Sequence, residues 1–402
     1  MRSIAAWFSL LAVTWLALGF SLGFWPEKLP FWPQRLPVYE LQPGETEGEP
    51  GSIIRVSPLA GGSPGGGDAF RILYRSTGLN GEPIAVAGAI FMPPGPAPER
   101  GRTVIAWAHP TSGVVEACAP SLMPDVGVTL IWGLADMLAE GHVVVATDYP
   151  GLGISGQIHP YLIGVSEGRA VLDSVRAARA LPRSGASNNF AVWGHSQGGH
   201  AALFTGELAA SYAPDLNLVG VATAAPATYL IELFETDIST PMGKEMTAMG
   251  LYAWTKLYNK PISGLIESAA MAPFYELAHD CIESVLELAA LGRAEKPLEW
   301  TPFLKVDPTE IKPWRELFEA NTPGQAPAGA PVFIAQGTLD TTVRPDITQK
   351  FAAALCRQGE RVRLVYLNGV GHIYAAQAGI GQALAWMDDR FRGLPAPSDC
   401  GS

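Results

Sequence analysis

The sequence predicts an α/β fold: a mostly parallel sheet with helices on both faces and an inserted helical cap. Three observations predict it. From about residue 104 onward, short apolar runs alternate with helical patterns, the signature of a parallel sheet with crossover helices. The segments 104–107, 143–146 and 190–193 of those runs are apolar at every position, as strands buried on both faces are. One of them, Asn189-Phe190-Ala191-Val192-Trp193, passes through Gly194-His195-Ser196-Gln197-Gly198 into a small-residue helix, which sets a serine on a sharp strand-to-helix turn.

The elements follow in order. Residues 4–25 are an apolar run behind Arg2, long enough to cross a hydrocarbon core. The run predicts export, either as a signal peptide cleaved near Ala17-Leu18-Gly19 or as an anchor with Trp25, Phe31 and Trp32 at an interface. Residues 26–50, rich in Pro, Gly and Glu, read as a tether. Extended runs at 53–56, 70–74 and 84–91, with a turn at Asn80-Gly81, predict an antiparallel beginning to the sheet. Strands at 104–107, 143–146 and 190–193 then alternate with helices near 130–140 and 167–181. Residues 236–301 turn helical and rich in Met, Ala, Leu and Glu, which predicts the cap. Strands resume at 332–335 and 362–366 around a helix at 347–358, and a last helix covers 381–391. The chain therefore divides into an apolar segment (1–25), a tether (26–50), an α/β core (51–235 and 302–400) and the cap (236–301).

With 402 residues, 48% of them hydrophobic, the chain can bury a substantial core. The net charge of −11 is spread out and no Lys/Arg-rich run occurs, which argues against a nucleic-acid partner. A small uncharged or cationic molecule is easier to accommodate, and the chain is expected to act as a monomer, with membrane contact open through residues 4–25. Four cysteines in an exported chain predict two disulfides, for which sequence alone permits three connectivities. Cys118, Cys281, Cys356 and Cys400 are too scattered for paired zinc ligands.

The pattern G-x-S-x-G occurs three times, so context has to select among them. Ser63 lies in a Gly/Pro run with no strand before it or helix after it, and Ser166 opens a helical pattern where a serine serves as an N-cap. Only Ser196 follows a strand. Its hydroxyl needs an imidazole base and a carboxylate to hold the imidazole's tautomer. In a sheet of this kind the chain order is serine, acid, histidine. His109, His142, His159, His195 and His200 precede or adjoin the serine and His279 falls in the cap, which leaves His372 on the loop after the last strand. The acid belongs after the preceding strand, where Gln336-Gly337-Thr338-Leu339-Asp340 supplies Asp340. Its rival, Asp346, sits beyond Pro345 at a helix start, where a carboxylate simply favours the helix dipole. The oxyanion donors predicted are the backbone N–H of Gln197 and, because Pro110 has none, that of Thr111.

With these pieces placed, the chain resembles the secretory lipase family of α/β-hydrolases over residues 51–400. The resemblance rests on Tyr74-Arg75-Ser76-Thr77, Ala106-Trp107-Ala108-His109-Pro110-Thr111, Cys118-Ala119-Pro120-Ser121, Ala146-Thr147-Asp148-Tyr149-Pro150-Gly151-Leu152-Gly153, Gly194-His195-Ser196-Gln197-Gly198-Gly199, Gln336-Gly337-Thr338-Leu339-Asp340 and Gly371-His372. It implies an exported carboxylic-ester hydrolase acting on acylglycerols through an acyl-enzyme, with no cofactor. It places Ser196, Asp340 and His372 in the triad and Thr111 with Gln197 in the oxyanion hole. It also implies the pairs Cys118 with Cys281 and Cys356 with Cys400. The chain departs from the family in an N-terminal segment long enough to anchor and in His109-Pro110 where relatives often carry His-Gly. Rival readings are an esterase for short or aromatic acyl groups, an acyltransferase, and a non-catalytic surface-tethered binding module on the same scaffold.

Overall fold

The computed structural model describes residues 36–123, 126, 131–282 and 303–401. The apolar segment at 1–25, residues 26–35 of the expected tether and residues 283–301 of the expected cap lie outside the described residues. Among the described residues no helix is long and apolar enough to cross a membrane.

Strand β1 (Ile53–Pro58) pairs antiparallel with β2 (Ala69–Thr77), and β2 with β3 (Pro83–Phe91) across the Asn80-Gly81 turn. Strands β4 (Arg102–Ala108), β5 (Val143–Thr147), β6 (Ala186–His195), β7 (Asn217–Ala224), β8 (Val332–Gly337) and β9 (Val362–Leu367) complete a nine-stranded sheet, ordered β1-β2-β3-β5-β4-β6-β7-β8-β9. From β5 to β9 every neighbouring pair is parallel. The mostly parallel α/β fold expected from the pattern is therefore the one observed.

Both faces are covered, which is why residues 104–108, 143–146 and 190–193 at the centre of the sheet are apolar throughout. On one side, Ile105, Trp107 and Trp193 pack against α1 (Leu134–Ala139) and, later in the chain, a helix over Ala375–Phe391. On the other, Val104, Ala106 and Val192 pack against α2 (Gly164–Ala180), α3 (Gln197–Tyr212) and the helix at Pro345–Arg357. Successive side chains of one strand thus feed opposite cores.

Between β7 and β8 the chain forms α4 (Leu230–Asp237), α5 (Pro241–Leu257), α6 (Met271–Ala278) and α7 (Trp314–Ala320), followed by α8 (Pro345–Arg357) and α9 (Ala375–Phe391). Helix α5 begins where Pro241 takes the first position and the Thr240 hydroxyl accepts the Gly243 N–H at 3.0 Å. Trp254, Phe274 and Phe318 are buried among these helices.

Two expectations need correction. Residues 36–50 are not a free tether: Tyr39 is 3% exposed and its hydroxyl bonds the Ser121 hydroxyl at 2.5 Å, so this stretch is docked on the core. Ser166 is not an N-cap, because α2 starts at Gly164 and the serine falls inside the first turn. Strand β7 carries no continuous run of branched side chains, since Gly220, Ala222 and Ala224 alternate with Val219, Val221 and Thr223. Its small residues serve packing: a Cβ on Gly220 would come within 2.7 Å of the Trp386 ring on α9.

Candidate active site

Ser196 occupies the turn between β6 and α3 with φ 56° and ψ −116°, a conformation that costs an L-residue about 1–3 kcal/mol. The surroundings hold it there. Its N–H donates to the Ala224 carbonyl on β7 at 3.0 Å, and its carbonyl accepts the N–H of Ala227 at 3.1 Å. The flanking glycines are required by close approach: a Cβ on Gly194 would lie 2.0 Å from the Gly198 carbonyl oxygen, and one on Gly198 would lie 1.9 Å from that of Ala108.

The loops after β8 and β9 bring two further side chains to this turn. His372 Nε2 is 2.9 Å from Ser196 Oγ, and His372 Nδ1 is 2.8 Å from Asp340 Oδ2. Asp340 is 3% exposed. Its Oδ1 accepts the backbone N–H groups of Thr342 at 2.9 Å and Val343 at 2.8 Å, and its Oδ2 also accepts from Gln336 Nε2 at 3.3 Å. Such partners satisfy the acceptor oxygens of a buried carboxylate and fix its orientation. Asp346, the rival acid, lies on the exposed start of α8 and pairs with Arg344 at 2.9 Å.

Position along the chain sets His195 aside because it adjoins the serine, yet it contributes here. Its Nε2–H donates to the His372 carbonyl at 3.0 Å, with the two rings 5.1 Å apart. Burial first, and the His372 ring second, push its imidazole down to about 3, so it stays neutral. A neutral donor therefore braces the backbone of the histidine that faces Ser196.

The remaining candidates fall into two groups. Gln197 heads α3, where leading N–H groups have no partner within the helix, and it lines the cavity beside the serine. The Thr111 loop packs against the same turn, since a Cβ on Gly198 would also lie 2.7 Å from the His109 carbonyl oxygen. The Thr111 hydroxyl bonds Tyr161 Oη at 3.0 Å. The four cysteines lie outside the site as disulfides, Cys118 with Cys281 and Cys356 with Cys400. The first joins the loop beyond Thr111 to the end of the α6 region, where the Ile282 N–H also donates to the Ser112 carbonyl at 2.9 Å. Among the described residues no group of three or more His, Cys, Asp or Glu converges as a metal site requires.

A cavity opens beside Ser196 beneath α4 and α5. Its wall is apolar over Leu230, Leu233, Phe234, Leu251, Trp254 and Phe318, with Asp237 as the charged exception. Burial pushes the Asp237 carboxyl up to about 7, against the opposing pull of His372. The arrangement offers a hydroxyl, a base and an orienting carboxylate at the mouth of an apolar chamber, which suits acyl transfer from an ester.

Comparison with known proteins agrees with this chemistry. The model of the family described as secretory lipase matches residues 126–399. Secreted triacylglycerol lipase LIP7 of Malassezia globosa is 26% identical over 360 residues, which span 83% of this chain and 73% of that protein. The X-ray structure of Candida antarctica lipase A superposes with a TM-score of 0.76 at 18% identity, covering 91% of this chain and 88% of the other. The rice cell wall degrading esterase LipA from Xanthomonas oryzae, in a ligand-bound form, gives a TM-score of 0.69 at 18% identity, covering 87% and 100%. At those identities the two structures speak for the shared fold.

Proposed function

The chain belongs to the secretory lipase family and is a carboxylic ester hydrolase, and on that premise we propose that it cleaves acylglycerols by a serine triad through an acyl-enzyme. The hydrogen-bonded series Ser196, His372, Asp340 at the mouth of an apolar cavity carries the reading. Ser196 Oγ attacks the ester carbonyl carbon while His372 Nε2 takes its proton. Asp340 keeps the other ring proton on Nδ1 and stabilises the imidazolium that forms. The carbonyl oxygen becomes an oxyanion held by the backbone N–H groups of Gln197 and Thr111. The intermediate collapses, the C–O bond to the alcohol breaks, and the alcohol leaves with the proton from His372. Water, deprotonated by the same nitrogen, then attacks the acyl-serine and releases the acid.

The acyl chain occupies the cavity lined by Leu230, Phe234, Leu251 and Trp254, whose apolar surface gains about 25 cal/mol for each Å² removed from water. Export rests on the apolar run at 4–25 and on the secreted relatives; retention of that run as an anchor would place the enzyme on the outer side of a membrane. Hydrolysis of triacylglycerols and of short p-nitrophenyl and feruloyl esters by the wild type and Ser196→Ala tests the reading. Turnover of long-chain glycerides that vanishes with the hydroxyl, together with fluorophosphonate labelling of Ser196, is expected. Retained turnover in Ser196→Ala defeats it.

A further inference from the structure

The first turn of α2 buries a carboxylate that the ester reaction does not use. Glu167 is fully buried, and an isolated anion at that depth is strongly disfavoured. It is well supplied with donors. Oε1 accepts from the backbone N–H of Leu162 at 3.0 Å and from Gln197 Nε2 at 2.7 Å, and Oε2 accepts from His200 Nδ1 at 2.8 Å.

Each donor leads back to the site. The second hydrogen of the Gln197 carboxamide is directed at His159 Nε2, 2.7 Å away, while His159 Nδ1–H donates to the Pro150 carbonyl at 3.1 Å. His159 is therefore the neutral tautomer, and burial holds its imidazole down at about 4. His200 differs. Its Nδ1 faces the carboxylate at 2.8 Å and its Nε2–H donates to the Asn321 carbonyl at 2.8 Å, so the ring is pinned at both nitrogens between Glu167 and the loop after α7. Burial would raise the Glu167 carboxyl, but His200, His159 and Gln197 together outweigh burial and hold it below the ordinary range.

Two strained residues meet in this network. Ser196 has φ 56° and Leu162 has φ 52°, both in the region L-residues avoid. The Leu162 N–H is bonded to Glu167 directly, whereas Ser196 is flanked by Gln197 and lies one turn before His200, both bonded to the same carboxylate. Strained backbone persists only where its surroundings over-determine it. Leu162, Ser196 and Gln197 all line the cavity.

We propose that Glu167 is the positioning residue of the nucleophile turn: it locks the first turn of α3 through Gln197 and His200, and ties it to the cavity wall through Leu162. The consequence is functional, because the leading N–H of α3 is the one assigned to the oxyanion, and a donor displaced by a fraction of an ångström loses much of its effect. This inference rests on the triad reading.

Glu167→Gln tests it. The isosteric amide keeps one acceptor for Gln197 and Leu162 but turns a donor toward His200 Nδ1. The expected result is a fall of about 10- to 100-fold in kcat per fluorophosphonate-titrated serine, with KM within about twofold and phosphonylation of Ser196, with loss of fluoride, slowed in proportion. A merely structural carboxylate would lower Tm and the titratable fraction while kcat per titrated serine stayed at the wild-type value, and that overturns the proposal. Should Glu167→Gln not fold, Gln197→Met keeps the backbone N–H and removes both carboxamide donations. The same kcat loss is expected of it, and wild-type kcat overturns the proposal. Ser196→Ala in parallel separates the readings: an inactive Ser196→Ala beside a fully active Glu167→Gln sinks the positioning role alone, and an active Ser196→Ala sinks both.

Discussion

His372 Nε2 stands 2.9 Å from Ser196 Oγ across 176 positions of sequence. The contact exists because parallel strands end at one sheet edge, so the turn after β6 and the loop after β9 open toward the same space. It also rests on strain, since Ser196 holds φ 56° only because β7 and the glycines around it leave no other path.

Hydroxyl and strain can be separated by substitution. Ser196→Ala and Ser196→Gly are both expected to lower kcat by at least ~10⁴-fold, since each removes the nucleophile. Glycine alone adopts positive φ freely, so Ser196→Gly is expected to be more stable than Ser196→Ala by about 1 kcal/mol after its larger unfolded-state entropy is counted. Thermal melts of the two variants decide it. A glycine variant that melts below the alanine variant would show the backbone to be unstrained.

Asp340 and Asp346 stand six positions apart and are expected to behave in opposite ways. In Asp340→Asn the amide can no longer hold the proton on His372 Nδ1, and kcat is expected to fall about 10⁴-fold with little change in KM. In Asp346→Asn only an exposed pair with Arg344 is lost, and kcat is expected to stay at the wild-type value. Steady-state kinetics on one p-nitrophenyl ester compares them directly, and a large loss in Asp346→Asn would reverse the assignment.

What was legible in the sequence follows from physics that is local along the chain. The doubly buried strands announce themselves as unbroken apolar runs, and the turn at Ser196 as a strand with flanking glycines. His372 and Asp340 could be picked because each follows a strand directly. Glu167 and Tyr39 were not legible for the same reason in reverse. A glutamate in the first turn of a helix reads as a solvated residue near the dipole, and nothing local reveals that Gln197 and His200 come to meet it. Tyr39 sits among prolines and glutamates, and its partner Ser121 lies 82 positions away. Strand β7 is hidden by the small residues that let α9 approach.

Glu245 on α5 gives the fold a built-in response to pH. It is fully buried, neither carboxyl oxygen has a hydrogen-bond partner among the described residues, and burial, with Asp280 adding to it, pushes its carboxyl from an ordinary 4.5 to about 8. The folded state therefore favours the protonated form. Its contribution is fully present below about 4.5 and is lost as pH rises from there to about 8, where the folded group also ionises. Glu245→Gln imitates the neutral form. Its Tm is expected to match the wild type near pH 4.5 and to exceed it at pH 8. Parallel melting curves at those two values test this, and a pH-independent difference would place the cause elsewhere.

Gly250 lies in mid-helix on α5 and lines the cavity, and a Cβ there would touch only Tyr161 Cδ1, at 3.8 Å. Glycine in a helix interior costs about 0.5–1 kcal/mol relative to alanine, so something other than helix stability has to account for it. On the proposed function, that reason is space for the acyl chain. Gly250→Ala is expected to raise stability by about 0.5–1 kcal/mol, since its methyl meets no closer neighbour. Gly250→Phe places a ring in the chamber and is expected to lower the ratio of kcat/KM for p-nitrophenyl laurate over p-nitrophenyl butyrate by at least about tenfold, as a pocket rejects the methylenes it can no longer hold. The butyrate rate serves as the internal control, because the triad is untouched. A folded Gly250→Phe variant with an unaltered chain-length profile would mean that the acyl group lies outside this cavity.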